Sequence, residues 1–151
     1  MGSGTWTKDA FTSYSTTRGY SIDSTGSIAG SYSNQEMFKS NTLDPTLNPK
    51  NVIRECCDTD EHPNTIPVIL ALDVTGSMGQ TAVEVAKKLN IIMTKLYEEV
   101  TDVEFMIMGI GDLSCDSVPI KASMFDSDIR MDDQLYKIYF QFSVGVNDIE
   151  S

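Results

Sequence analysis

The sequence predicts an α/β fold in which a helix crosses over between parallel strands. Two nearly unbroken apolar runs, residues 66–72 and 103–110, read as strands buried on both faces, because neither alternates polar with apolar. Between them, Val85, Leu89, Ile92, Leu96 and Val100 recur at spacings of three and four, with Glu84, Lys87, Lys88, Lys95 and Glu99 opposite. That is the stripe of an amphipathic helix over about residues 80–100. Strand, helix, strand in that order implies a right-handed parallel crossover.

The remaining elements follow in chain order. The chain has 151 residues, enough for one domain. Residues 1–50 hold no valine and no cysteine and are dominated by Ser, Thr, Gly and Tyr. They read as a flexible arm that cannot bury enough apolar surface to offset its ordering entropy, touching a core only through Trp6, Phe11, Tyr14 and Tyr20. Residues 51–65 are charged linker and loop. The folded part spans 66–151. Its first strand is expected to be central, with Pro67 tolerated near the start. After the second strand, a short turn-like loop leads to an imperfectly alternating run at 119–124, an antiparallel edge strand. A second helix is expected over about 127–142, capped by Ser127 or Asp128, with Ile129, Leu135, Ile138 and Phe142 as its apolar stripe. Three strands leave the central one with an open edge, so the sheet is expected to be truncated, the N-terminal part of a larger α/β domain.

Charge narrows the function. Eleven Lys and Arg against 22 Asp and Glu give a net charge of −11. A nucleic-acid or anionic-membrane surface needs a basic face, so neither is an expected partner. No run approaches the roughly 20 apolar residues of a membrane span, and the N-terminus lacks the basic and apolar regions of a secretory signal. Three cysteines, an odd number, point to free thiols and a cytoplasmic location. His62, the single histidine, reads as a solvated loop residue, which discounts Ser/His and Cys/His nucleophile chemistry. Asp126, Asp128, Asp132 and Asp133 read as solvating and capping a helix start.

The chemistry concentrates at Asp73-Val-Thr-Gly-Ser-Met78, where the first strand gives way to its helix. Ligands of open parallel sheets bind at that carboxyl edge. Asp73, Thr75 and Ser77 alternate along a tight turn, so one carboxylate and two hydroxyls can converge. Such an oxygen-only set suits Mg²⁺, Mn²⁺ or Ca²⁺ better than zinc. Asp112, at the end of the neighbouring strand, is a further acidic candidate from its place in the fold. The plainer reading of the same residues is a capped helix N-terminus.

Residues 66–77 resemble the first strand and first metal loop of a von Willebrand factor A domain. The metal-ion-dependent adhesion site of that family begins Asp-x-Ser/Thr-x-Ser, matched here by Asp73, Thr75 and Ser77. Leu43-Asp-Pro45, Arg54-Glu-Cys-Cys-Asp58, Gly109-Ile-Gly-Asp112, Cys115-Asp116 and residues 125–129 are similar to its bacterial and phage branch. The resemblance implies a doubly wound, mostly parallel sheet and a non-catalytic, metal-dependent protein-binding module. It implies a protein partner that supplies a Glu or Asp to the ion. A threonine from a second loop normally contributes; the matching loop here, Gly145-Val-Asn-Asp148, puts Asn147 near that position. Two alternatives remain. A strand ending Asp-x-Thr-Gly-Ser also resembles the loop of haloacid-dehalogenase-like phosphatases, with Asp73 as nucleophile beside Mg²⁺. Those enzymes need a lysine and a Gly-Asp-x-x-Asn-Asp arrangement downstream, and Gly111-Asp-Leu-Ser-Cys-Asp116 lacks the asparagine. The third reading is a structural or vestigial domain without metal.

Overall fold

The computed structural model describes residues 4–38, 44–73, 79–100, 102–111 and 118–138. It is a mixed α/β structure built on a three-stranded sheet of order β1-β2-β3, with β1 at Ile66–Asp73, β2 at Val103–Ile110 and β3 at Ile120–Ala122. β1 and β2 run parallel over their full length, from Ile66↔Val103 to Asp73↔Ile110. β3 returns antiparallel along the far side of β2 through Met108↔Ala122, Gly109↔Lys121 and Ile110↔Ile120. The pairing continues beyond β3: Phe105 and Asp126 exchange both backbone hydrogen bonds at 2.8 Å, and Ser123 Oγ accepts from the Ile107 N–H at 2.9 Å.

Among the described residues four α-helices accompany the sheet: α1 at Lys8–Thr17, α2 at Asn34–Met37, α3 at Gly79–Glu99 and α4 at Arg130–Ile138. α1, α3 and α4 pack on one face, where Phe11, Ala82, Ala86, Leu89, Met93, Met131, Leu135 and Ile138 close over Val103, Phe105 and Ile107. The other face of β2 is covered by chain before and after the sheet. Met106 packs there against Ala122 and Phe125, beside Cys56. Arg54 donates to the Ala122 carbonyl at 3.3 Å, and the Cys57 N–H donates to Glu104 Oε2 at 3.2 Å. Among the described residues no helix is long and apolar enough to cross a membrane.

Several expectations change. β1 is the edge strand of the described sheet and is not buried on both faces. Its residues alternate between half-buried and exposed; Val68 and Leu72 meet the helices, while Ile69 is 51% exposed on the uncovered side. The apolar run therefore marks a strand with one covered face.

The N-terminal segment is not a loose arm. Thr7 caps α1 by accepting the Ala10 N–H at 3.2 Å, and a capping box at Ser33 and Glu36 starts α2. Phe11 is fully buried, worth about 1.5–3 kcal/mol in apolar transfer. Trp6 stacks on it at a centroid distance of 5.8 Å and donates its indole N–H to Asn90 Oδ1 at 3.0 Å. That packing moves the buried face of α3 from the expected stripe toward Ala82, Val83, Ala86, Asn90 and Met93.

α4 begins later than expected, because Asp128 Oδ1 accepts the Arg130 N–H at 3.0 Å and Ser127 turns its hydroxyl to the Gly4 carbonyl. The expected extension to residue 142 lies outside the described residues. Asp132 is no solvating acid. It is fully buried and pairs with Arg18, which caps the end of α1 and whose guanidinium also reaches Asp133 and lies over the Tyr136 ring at 4.1 Å. Burial pushes the Asp132 carboxyl up to about 6 against the opposing pull of Arg18.

Candidate functional site at the carboxyl edge of the sheet

Asp73 is the last residue of β1, exposed and in register with Ile110, the last residue of β2. The two parallel strands thus end level. Beyond them Gly111 donates its N–H to the Pro119 carbonyl at 2.7 Å, and α3 opens at the buried Gly79. Pairing parity puts Asp73 on the face away from the helices, in the same row as Ile69 and Ala71. Ile110 and Ile120 complete that end of the sheet, 45% and 46% exposed. Of the expected metal ligands, Asp73 is placed at this edge. Thr75, Ser77, Asp112 and Asn147 lie outside the described residues. Among the described residues no three His, Cys, Asp or Glu side chains gather as a metal would require. What Asp73 offers is one exposed, hard oxygen donor, which fits Mg²⁺, Mn²⁺ or Ca²⁺.

Two neighbouring features escape a reading by pattern. Lys121 of β3 is fully buried opposite Gly109, one row in from the carboxyl edge. Burying a lysine costs several kcal/mol unless it is paired, and a β-period gives no warning of it. The second feature is a duplicate. Asp23-Ser-Thr-Gly-Ser27 has the same Asp-x-Thr-Gly-Ser arrangement as residues 73–77. There Asp23 Oδ1 accepts from the Thr25 N–H at 2.8 Å, the Thr25 hydroxyl at 2.6 Å and the Ser27 N–H at 3.2 Å, while Thr25 Oγ1 lies 3.2 Å from Ser27 Oγ. Hydrogen bonding to Thr25 first, then to the loop backbone, holds the Asp23 carboxyl below its ordinary value. The loop closes a small hairpin through the Ile22↔Ile28 bridge, with Gly26 at φ +86° making the turn. In this copy the tight turn draws three side-chain oxygens together.

His62 also departs from expectation. It is 4% exposed, with Nε2 2.8 Å from the Gly4 carbonyl oxygen and Nδ1 3.4 Å from Asp102 Oδ1. Its neighbours in sequence are polar, so only the tertiary structure reveals the burial. A groove of about 320 Å³ opens on the outer face between Ile53, Arg54, Cys57, Met124 and Phe125, and none of the expected ligands lines it. Comparison with models of protein families, with curated proteins and with solved structures finds no match for this chain.

Proposed function

We propose that the carboxyl edge of β1 is a divalent-cation site through which the chain binds an acidic protein partner, as a non-catalytic module of von Willebrand A type. The observation that carries this reading is the position of Asp73: an exposed carboxylate on the last residue of a parallel strand, with five residues between it and the start of α3. In parallel α/β sheets that junction is where ligands are held. Asp73, Thr75 and Ser77 would hold the ion, with Asp112 and Asn147 as further oxygen donors. A bound Mg²⁺ supplies a hard positive centre with an open position for a partner's Glu or Asp. The residues themselves orient and partly neutralise it. The net charge of −11 favours the cation and leaves the partner's carboxylate dependent on it. The sheet is proposed as the first half of the doubly wound fold, and the free thiols Cys56 and Cys57 suit a reducing cytoplasm.

Thermal unfolding of the full chain with and without Mg²⁺ or Mn²⁺ tests the site. The melting temperature should rise with the ion, and Asp73→Ala should remove the rise. An equal rise in the variant would refute the assignment. Mg²⁺-dependent hydrolysis of an aryl phosphate, abolished by Asp73→Asn, would replace binding by catalysis.

A further inference from the structure

The ring of His62, the chain's single histidine, stands buried between two acceptors. Nε2 faces the Gly4 carbonyl at 2.8 Å, and Nδ1 faces the Asp102 carboxylate at 3.4 Å. Neither partner has a proton to give. A neutral imidazole carries one N–H and serves one of them; the imidazolium serves both, and only it is attracted as a charge to the carboxylate.

The carbonyl it holds sits in a fitted socket. Ser127 Oγ donates to the same Gly4 oxygen, and Tyr97 of α3 donates to the Ser127 carbonyl. Gly4 has φ +141°, and a Cβ there would meet Asp128 Oδ2 at 2.9 Å, so both conformation and space select glycine. Two residues on, Trp6 is seated with 6% exposure, hydrogen-bonded to Asn90.

We propose that His62 is a charge-operated catch on the N-terminal segment: the imidazolium clamps the Gly4 carbonyl and keeps Trp6 seated, and the neutral ring lets the segment loosen. Histidine is the side chain that ordinarily changes charge between about pH 5 and 8. The charged and titratable groups around the catch are Asp102 ahead of β2, Tyr97 on α3 and Asp128 at the head of α4. Asp60 and Glu61 lie beside it on its own loop, and the chain's amino group acts on Asp128. Burial pushes the Tyr97 phenol up to about 12, so it stays neutral in this window. Burial opposes ionisation of Asp128, but hydrogen bonds from Arg130 hold its carboxyl below the ordinary range, so it stays charged. With the imidazolium as the clamping form, the catch is closed at acid pH and opens as pH rises.

The experiment follows the ring-nitrogen signals of the single histidine by NMR and acrylamide quenching of the single tryptophan, in the full chain from pH 5 to 8. The docked state should show both ring nitrogens protonated. Quenching should rise several-fold with pH, at the midpoint where the ring loses its proton. His62→Gln should remove that transition, and Asp102→Asn should move it to lower pH. A ring that is neutral while Trp6 is shielded overturns the proposal, as does shielding that ignores the titration or an unchanged transition in His62→Gln. Should His62→Gln not fold, an unmoved midpoint in Asp102→Asn is equally decisive against it.

Discussion

Asp-x-Thr-Gly-Ser occurs at residues 23–27 and again at residues 73–77, and the two copies have different surroundings. The first closes a small hairpin, and its carboxylate is consumed by the N–H and hydroxyl groups of its own loop. The second begins on the last residue of a parallel strand and precedes a 21-residue helix. The letters are shared, so they do not by themselves define a cation site. What separates the copies is the fold around them: the first is fastened to α3 as architecture, and the second starts from Asp73, at the edge where parallel sheets place ligands.

The comparison can be broken or sharpened, beginning with the largest effect. Ile28, 1% exposed, fastens the first loop to the core, and its backbone N–H donates to the Lys87 carbonyl of α3 at 3.0 Å. Ile28→Ala should cost about 2–5 kcal/mol in urea unfolding and leave the Mg²⁺ response untouched. A lost Mg²⁺ response would mean that the first loop supports the site after all.

Asp132 tests whether the N-terminal segment is a built part of the domain. Its carboxyl ordinarily titrates near 3.8 and is held up at about 6 in the fold. A group with a raised folded value contributes stability that is complete below about pH 4 and is lost as pH rises through 6, roughly 3 kcal/mol here. Chemical denaturation across that range should show the decline, and Asp132→Asn should flatten it. A decline of the same size in the variant would assign it to other groups.

Asp73→Ala comes next. At a Mg²⁺ concentration of 100 times Kd it should forfeit about 2.7 kcal/mol of metal-linked stability, whereas Asp23→Ala should keep all of it. If the two variants responded alike, the distinction between the copies would fail. Gly26→Ala should cost about 1–2 kcal/mol, because φ is +86° there and a Cβ would meet the Asn90 amide at 2.8 Å. Calorimetry of that variant reads the strain alone if its Mg²⁺ response is unaltered.

Local pattern carried the strands and the long helix. The apolar runs at 66–72 and 103–110 are β1 and β2, and residues 80–100 differ from α3 by one residue at each end. These elements announce themselves because their hydrophobic period is set by the backbone they adopt. α1 gave no such signal: Lys8–Thr17 is rich in Ser and Thr, and its order derives from Trp6, Phe11 and Arg18 finding partners far along the chain. The burial of His62 and Asp132 was hidden for the same reason, since each lies in a polar stretch and is enclosed by residues distant in sequence. Asp73 was readable from its strand and its turn, and the fold places it at the sheet edge. The other expected ligands lie outside the described residues, so the site is legible as a location and one donor.

The contacts that seat the N-terminal segment span long stretches of chain: Trp6 to Asn90 bridges 84 positions, Arg18 to Asp132 114, and Gly4 to Ser127 123. Such closures must wait for most of the polypeptide and slow folding, because loop entropy is spent before the contact forms. On the ribosome, this segment emerges ahead of β1, α3 and β2 and yet is among the last to find its place. The crossover from β1 through α3 to β2, with its closer pairings, can consolidate earlier and act as the template on which that segment settles.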